Sequence, residues 1–537
     1  MVKKRRIFTF CATLFLLIFL RDAYAAHLKI SNYYVSEFNT LKHTAKIQFD
    51  ISWDNAWKNE LNCDGVWVFV KFKLPDRSWE HVSLKEASDS DFNYISQAPS
   101  FFSAGDNPIM GLWVPKEKTG AFLFRTEGIG NISSKNVTFI WDYAKDGVLD
   151  NEVSQVKIKV FGLEMVYIPQ GKHYVGDPQG PDGPDNCFYT YPNNGAYLIQ
   201  SEDEILVDKV EGALYCDQDN ERSRDDTPFV IPKEFPKGYK PFWIMKYELS
   251  TQQFVDFLNC LTRAQQQKKV ASDISGDEIS NYYVMTNTDT EKMRNTVVCA
   301  KKGNGTVEPV VFYTYAPARA CNFLSWSDIT SFADWSGLRP ITELEYEKAC
   351  RGTQDPVPNE AAWGTTDIGR PDTFDGPDGS GYEVKVPKKG IVNAGYGSGI
   401  APFEAAAGKT KPDNPGYEGP LTCGLFENSQ HEGVPKRIND GASFYGVMEL
   451  SGNLWERCVT VGHKIGRKFR GVHGDGKLDP DGFSDVEDWP GRDGAGAGNR
   501  GGVWSSPGLK YLRFALRFAA NFPKSEDGKH SGCRLGY

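Results

Sequence analysis

The sequence predicts an antiparallel β-sandwich module over residues 26–160, followed by a loop-rich region over residues 161–537. Three observations support this division. Residues 27 to about 160 contain strand-like runs of β-branched and aromatic residues, separated by turn residues. After about residue 160, short helical patterns alternate with Gly- and Pro-rich stretches. The 53 Gly, 30 Pro and 13 Trp of the chain indicate a core in which large aromatic side chains fill the space between loops.

The first 25 residues have the features of a secretory signal peptide. A basic KKRR stretch at residues 3–6 precedes an apolar run at 7–20 and the small-residue site Ala23-Tyr24-Ala25. The run is shorter than the roughly 20 apolar residues that span a bilayer. We expect cleavage near Ala25 and export to the periplasm, cell surface or medium, with no transmembrane span in the mature chain. A short uncleaved anchor is the alternative.

The strands of the module are predicted from alternation. Within residues 45–53, Ile47, Phe49, Ile51 and Trp53 fall on one face. Four further runs share this composition, at 66–72, 121–125, 137–141 and 156–161. The pattern predicts an accessory antiparallel sandwich. Its aromatic stripe is expected to pack in the core, with sugar binding as the alternative.

Three short helices are predicted in the second region, over residues 248–262, 327–335 and 342–350. Ser250 or Thr251 is a plausible cap for the first, and Thr342 with Glu345 forms the capping-box pattern for the third. The stretches 176–197, 352–420 and 462–502 are much longer than ordinary connections. Such loops need ions, disulfides or a function to order them.

Charge and cysteine content limit the classes of function. The net charge of −9 argues against a protein that binds nucleic acid, since such proteins carry clustered Lys and Arg. Eleven cysteines are present, and removal of the signal peptide removes Cys11. Ten cysteines in an exported chain predict a disulfide framework whose pairing is open, with buried thiols as the alternative. The absence of any C-x-x-C pattern disfavours structural zinc.

Several motifs then follow one another in a recognisable order. They are MVYIPQG at 165–171, FWIMKYE at 242–248, the set LSWSD at 324–328 with LRPITE at 338–343 and CRG at 350–352, GVMELSGNLWE at 446–456, and RGGVW at 500–504 with GCRLG at 532–536. In this order they resemble the formylglycine-generating enzyme, or sulfatase-modifying factor (FGE-sulfatase), family. The resemblance implies a compact, loop-rich α+β domain over 161–537, distantly similar to C-type lectins.

The resemblance also implies a structural calcium ion. Its ligands would be Glu449, Glu456 and the carbonyl oxygens of Gly452 and Leu454. Members of the family usually have Asp or Asn where Glu449 stands. Carboxylate and carbonyl oxygens are the hard ligands that Ca²⁺ takes. In the alternative interpretation, Glu456 pairs with an arginine and no ion binds.

The copper chemistry of the family is expected to be lost. Family members oxidise a sulfatase cysteine with copper bound by two thiolates. The corresponding positions here are Ser506 and Tyr511, and Val503 replaces the active-site serine. A hydroxyl and a phenol cannot replace thiolates in binding Cu(I). We therefore predict no catalytic residues at these degenerate positions and no copper cofactor.

A binding role is the preferred prediction of function. The family cleft would survive as a ligand surface formed by Trp455, Trp504, Ser505, Ser506 and Arg513. The chain would be an exported sulfatase-modifying-factor-like pseudoenzyme that recognises an envelope or surface protein, a peptide or a glycan, or that acts in envelope assembly. The alternative is a metal-dependent oxidoreductase, of the formylglycine-generating or a related non-haem iron type, with a relocated site. His463, His473 and Glu487 are its candidate ligands, although solvated or hydrogen-bonded loop histidines are the preferred interpretation.

Overall fold

The computed structural model describes residues 27–93, 98–178, 186–192, 195–216, 227–369, 373–375, 377–386, 419–427, 436–506, 509–522 and 528–537. The predicted signal peptide at 1–25 lies outside these ranges. The strands of the first region are β1 (Lys29–Asn39), β2 (Thr44–Lys58), β3 (Asp64–Lys73), β4 (Glu80–His81), β5 (Met110–Trp113), β6 (Ala121–Arg125), β7 (Gly128–Asp142) and β8 (Lys157–Ile168).

Short strands and short helices make up the rest. The strands are β9 (His173–Val175), β10 (Phe188–Thr190), β11 (Tyr197–Ile199), β12 (Ile205–Val207), β13 (Leu214–Cys216), β14 (Phe229–Ile231), β15 (Phe242–Met245), β16 (Val298–Cys299), β17 (Phe312–Tyr313), β18 (Arg339–Pro340), β19 (Thr373–Asp375), β20 (Val384–Val386), β21 (Glu456–Val459), β22 (Ala497–Arg500) and β23 (Leu535–Gly536). The helices are α1 (Thr251–Leu258), α2 (Arg263–Gln267), α3 (Trp326–Trp335), α4 (Glu343–Arg351) and α5 (Arg437–Asp440). This mixture of strands and few helices agrees with the α+β class.

Two sheets form the first region. One has three strands in the order β1-β2-β7, and the other has eight, in the order β18-β23-β15-β8-β3-β6-β5 with β4 paired to β3. Alternation along β3 separates two cores. Val66 and Val68 share a core with Ile47 of the small sheet, whereas Trp67 and Phe69 face the core that contains the helices. The large sheet is therefore buried on both faces.

Strand β8 joins the two regions into one sheet. It pairs with β3 from Asp64↔Val166 to Lys73↔Lys157, and with β15 from Phe242↔Ile168 to Met245↔Met165. The domain boundary predicted at residue 160 lies inside this strand. The sandwich and the C-terminal region consequently share backbone hydrogen bonds across a single sheet.

The helices form close to the positions predicted from sequence. Of the helix predicted at 248–262, residues 251–258 form α1, and a second helix, α2, begins at Arg263, just beyond the predicted end. Ser250, rather than Thr251, caps α1 and accepts a hydrogen bond from the backbone N–H of Gln253. Helix α3 begins one residue earlier than predicted, after the cap Ser325. The capping box of Thr342 and Glu345 at α4 is confirmed.

The predicted disulfide framework is absent from the structure. All ten cysteines after Cys11 lie among the described residues, and each is a buried thiol that forms no disulfide. Burial raises the pKa of the Cys260 thiol to about 11 and that of Cys187 to about 12. Large aromatic side chains and buried ion pairs, rather than disulfides, hold the long connections in the ranges described. Within those ranges, no helix has the length and apolar character that a membrane span requires.

Candidate functional site

The 446–456 and 500–504 motifs meet through their backbones. The N–H of Gly452 donates to the carbonyl of Gly501 at 2.8 Å, and the N–H of Trp504 donates to the carbonyl of Asn453 at 2.7 Å. Gly501 has a φ of +90°, and a Cβ there would lie 2.6 Å from Oε2 of Glu456. Only glycine permits this approach of the two segments.

A third segment completes a cluster of aromatic and polar groups. The N–H of Trp455 donates to the carbonyl of His530 at 2.9 Å, and Ser505 Oγ lies 2.8 Å from His530 Nε2. The His530 ring centroid lies 5.5 Å from that of Trp455 and 5.1 Å from that of Trp504. We call Trp455, Trp504, Ser505 and His530 the Trp–His cluster. Three of its members are half-buried and Trp504 is buried, so the cluster offers a ligand aromatic edges and a hydrogen-bonded polar pair.

His530 was not predicted as a site residue. The histidines predicted as candidate ligands are His463 and His473, which lie in the long 462–502 stretch. His530 lies two positions before the GCRLG motif, and this place near a closing motif is the only sequence signal that distinguishes it. Its proximity to Ser505 arises from the packing of two chain segments that are 25 residues apart.

Ser506 and Tyr511, which the resemblance predicts to stand at the copper-binding positions, make contacts of other kinds. Ser506 is buried, and its Oγ accepts a hydrogen bond from the N–H of Val503 at 2.9 Å. The Tyr511 ring packs edge-on against Phe518, with 5.8 Å between the centroids. Neither position offers sulfur, and the Ser506 hydroxyl is engaged in its own turn. These residues do not fit a Cu(I) ion.

Arg513 contacts residues outside the Trp–His cluster. Its Nη1 donates to Asn359 Oδ1 at 2.9 Å and lies 3.6 Å from Asp177 Oδ2. Burial raises the pKa of the Asp177 carboxyl to about 6, against the opposing effects of the Asn359 N–H and Arg513. Arg513 therefore helps to stabilise a buried carboxylate, which is a structural role.

The candidate iron ligands make separate contacts. His463 Nδ1 accepts from the N–H of Ile465 at 3.2 Å. His473 stacks on Tyr537, with 3.9 Å between ring centroids, and its Nδ1 lies 3.8 Å from Glu117 Oε1. Glu487 is exposed. The groups of three metal-ligating side chains found among the described residues do not include this set.

The predicted calcium ligands Glu449 and Glu456 are buried around Arg534. Glu456 Oε1 accepts from Arg534 Nε and Nη2 at 3.2 Å, and Glu449 Oε1 accepts from the N–H of Gly424 at 2.6 Å. Glu248, which was not predicted as a ligand, accepts from the N–H of Leu454 at 2.9 Å and from Asn453 Nδ2. Three buried carboxylates thus surround one guanidinium.

Two carboxylate oxygens of this cluster find no partner among the described residues. Oε2 of Glu449 and Oε2 of Glu456 are buried and accept no hydrogen bond from the described residues. Burial raises the pKa of Glu449 to about 7 and that of Glu456 to about 8. Unpaired hard oxygens fit a calcium ion. The arginine pairing of the alternative interpretation is also present, because Arg534 binds the other oxygen of Glu456.

A network of buried charges holds the 500–504 segment behind the cluster. Glu343 Oε2 accepts from Arg500 Nη1 and from Arg517 Nε, each at 2.7 Å. Arg500 also binds Glu347 through Nη2. All four side chains are at most 1% exposed. Paired charges of this kind fix the geometry of the loop, since loss of one partner would leave the other unpaired in the core.

Comparison with known proteins agrees with this arrangement. A family model described as the sulfatase-modifying factor enzyme 1-like domain matches residues 200–535, which include the Trp–His cluster and the carboxylate cluster around Arg534. A search of curated proteins finds no match. The chain belongs to the sulfatase-modifying factor, or FGE-sulfatase, family.

Proposed function

We propose that this protein recognises a partner through the Trp–His cluster and does not generate formylglycine with copper. The observation that supports this proposal most directly is the 2.8 Å contact of Ser505 Oγ with His530 Nε2 beside two tryptophan rings. The Ser505 side of this contact lies next to Ser506, the position at which the family reaction requires a thiolate. The half-buried surface of the Trp–His cluster can still contact a ligand. In this proposal, Ser506 and Tyr511 stand where a copper site would need sulfur ligands.

The chemistry of the cluster suits a peptide segment or a protein loop. Tryptophan supplies a large apolar area at a low cost in conformational entropy, and the Ser505–His530 pair supplies hydrogen-bond donors and acceptors. A partner in the cell envelope or at the cell surface follows from the predicted export. A glycan is the second class of ligand, and it would use the same aromatic edges.

A copper experiment tests the catalytic half of the proposal. The purified chain is titrated with Cu(I) against a chelator of known affinity, and it is incubated with a sulfatase peptide that contains the target cysteine. We expect no stoichiometric tight binding and no conversion of cysteine to formylglycine. Tight binding with turnover would support the alternative, an oxidoreductase with a relocated site, and would overturn the proposal.

A capture experiment tests the recognition half. The full chain, immobilised, is exposed to solubilised envelope proteins, beside Trp455→Ala and the control Trp79→Ala, which alters a partly buried tryptophan outside the cluster. We expect a saturable envelope partner that Trp455→Ala loses and Trp79→Ala retains. Equal capture by all three proteins, or capture of cytoplasmic proteins only, would contradict recognition through this cluster.

We also propose that calcium occupies the carboxylate cluster in a structural role. Glu449 and Glu456 would hold the ion with the carbonyls of Gly452 and Leu454. Calcium should raise the Tm relative to chelator, because a ligand that binds only the folded state stabilises it. The increase should be lost in Glu449→Gln and kept in the exposed control Glu60→Gln. An equal response of all three proteins would exclude a specific site.

Export remains a proposal that rests on residues 1–25. Amino-terminal sequencing of the secreted protein should give Ala26 as the first residue. An intact Met1 would instead indicate that the segment is retained.

A further inference from the structure

A cleft of about 900 Å³ lies where the sandwich module meets the FGE-sulfatase domain. The module contributes the segments 88–92 and 113–117, and the domain contributes 233–243 and 470–473. No residue of the Trp–His cluster lines this cleft. It is thus separate from the site proposed above, and its volume is in the range typical of small-molecule sites.

The cleft depends on the shared sheet. Trp113 ends β5, Tyr167 lies near the end of β8, and Trp243 lies in β15. These three strands belong to the eight-stranded sheet, although β5 comes from the module and β15 from the domain. The aromatic wall therefore forms only when both parts of the chain contribute to that sheet.

Aromatic rings pack closely along this wall. The ring of Phe92 lies 4.7 Å from that of Tyr167, 4.9 Å from Trp243 and 5.6 Å from Trp113. Trp113 is half-buried and stacks on Phe122 at 5.7 Å, so part of its surface remains accessible. These rings give the cleft a rigid apolar wall.

Two polar atoms of cleft residues lack partners. Trp243 Nε1 and His473 Nε2 are buried and make no hydrogen bond to the described residues. Buried polar groups are normally satisfied, so each unpaired atom requires an external partner such as water or a ligand. Both side chains thus carry hydrogen-bonding capacity that the described part of the chain leaves unused.

The exposed rim carries charges of both signs. Lys116, Lys240 and Arg470 face the same opening as Asp89 and Asp91. A rim of this composition supplies strong donors and strong acceptors, but it does not select a ligand by net charge. A highly charged ligand would meet repulsion on one side of the opening.

We propose that this cleft binds a neutral oligosaccharide. The C–H faces of a sugar ring pack on aromatic rings, whose faces are electron-rich, and its hydroxyls both donate to carboxylates and accept from Lys and Arg. The cleft combines these features: an aromatic wall, unused polar atoms and a rim of mixed sign. Its volume exceeds the space that a single sugar ring requires, which favours a short chain of sugars.

The test is calorimetric titration of the purified full chain with chitotriose, cellotriose and maltotriose. We expect at least one of these neutral trisaccharides to bind. Trp113→Ala should weaken binding by about tenfold or more, as expected for loss of a central aromatic contact. The double variant Lys240→Ala/Arg470→Ala should also weaken binding. It changes only exposed side chains, so it tests the rim even if Trp113→Ala impairs folding.

Two controls separate this proposal from the Trp–His cluster. Trp79→Ala and Trp455→Ala should leave the trisaccharide affinity unchanged. The proposal is overturned if none of the trisaccharides binds. It is also overturned if Trp113→Ala and Lys240→Ala/Arg470→Ala both bind with the affinity of the wild type, or if Trp455→Ala loses binding. Tighter binding of a sulfated trisaccharide than of its neutral parent would overturn the neutral class of ligand.

Discussion

Asp334, near the end of α3, is a buried carboxylate that faces two exposed aspartates of the long loop after β21. Its oxygens accept from the N–H of Asp475 at 3.1 Å and of Asp485 at 3.3 Å, and oxygens of the three carboxylates lie within 4.8 Å of one another. Gly476, which follows Asp475, contacts the first region: Lys71 donates to its carbonyl at 2.7 Å, and the ring of His81 packs against it. Burial, and then repulsion from Asp475 and Asp485, raises the pKa of Asp334 to about 7, against the opposing Ser484 hydrogen bond.

This raised pKa predicts a pH dependence of stability. Between about pH 4 and pH 7 the unfolded Asp334 has lost its proton while the folded one retains it, so its contribution to stability falls as pH rises. Asp475→Asn removes one source of repulsion and should reduce that fall by about 1 kcal/mol or less, because Asp475 is exposed. Denaturant unfolding near pH 4.5 and pH 7.5 measures the difference. The exposed control Asp76→Asn should resemble the wild type, and an Asp475→Asn curve equal to the wild type would contradict the coupling.

The site residues differ in how far sequence could predict them. The assignment of Ser506 and Tyr511 to the thiolate positions of the family is a prediction from the motif alone, because each position is counted from Trp504. The ion pair of Arg513 with Asp177 is not, since the two residues are more than 300 positions apart. The same holds for Ser505 and His530, because hydrogen bonds between distant loops have no local pattern.

The helices illustrate how much local sequence specifies an element. Each of α1 to α4 begins with a Ser or Thr whose hydroxyl accepts from the N3 backbone N–H, with a Gln, Asp or Glu side chain that returns the bond. These pairs satisfy donors that would otherwise be unpaired at a buried helix end. Such reciprocal bonding between near neighbours made the starts of α1 and α4 predictable, whereas α2 was not predicted although it carries the same local pattern.

The cap of α1 is open to a direct test. Ser250→Ala should lower the free energy of unfolding by about 1 kcal/mol, because the N–H of Gln253 loses its acceptor. Ser250→Thr keeps the hydroxyl and should retain most of the stability. Denaturant unfolding of the three proteins provides the comparison. Equal losses in the two variants would show that the position is sensitive to shape rather than to the capping bond.

At the scale of the whole molecule, the eight-stranded sheet makes the module and the domain depend on each other. Strand β8 contributes ten residue pairs to β3 and four to β15, so it lies between the two parts of the sheet. Trp67 and Phe69 of the module also belong to the core that contains the helices of the domain. We therefore expect the two parts to unfold together.

Truncation tests this dependence. A chain that starts at residue 161 loses β3, β5 and β6 and part of β8, and it exposes apolar side chains that these strands cover. It should aggregate or lack a cooperative transition in circular dichroism, whereas a chain that starts at residue 27 should unfold in one transition. A soluble 161–537 fragment with a cooperative transition would show that the domain is independent.

The sequence by itself determined the family, the starts of α1 and α4 and the α+β class, and it predicted that the copper positions carry no sulfur. These features depend on residue types at short spacings, where caps, alternation and motif order are local. The tertiary structure alone decided that the ten thiols form no disulfides, that β8 joins two regions across the predicted boundary, and that Ser505 meets His530. Each of these depends on which distant segments pack together, and burial of apolar side chains on both faces of one sheet governs that choice.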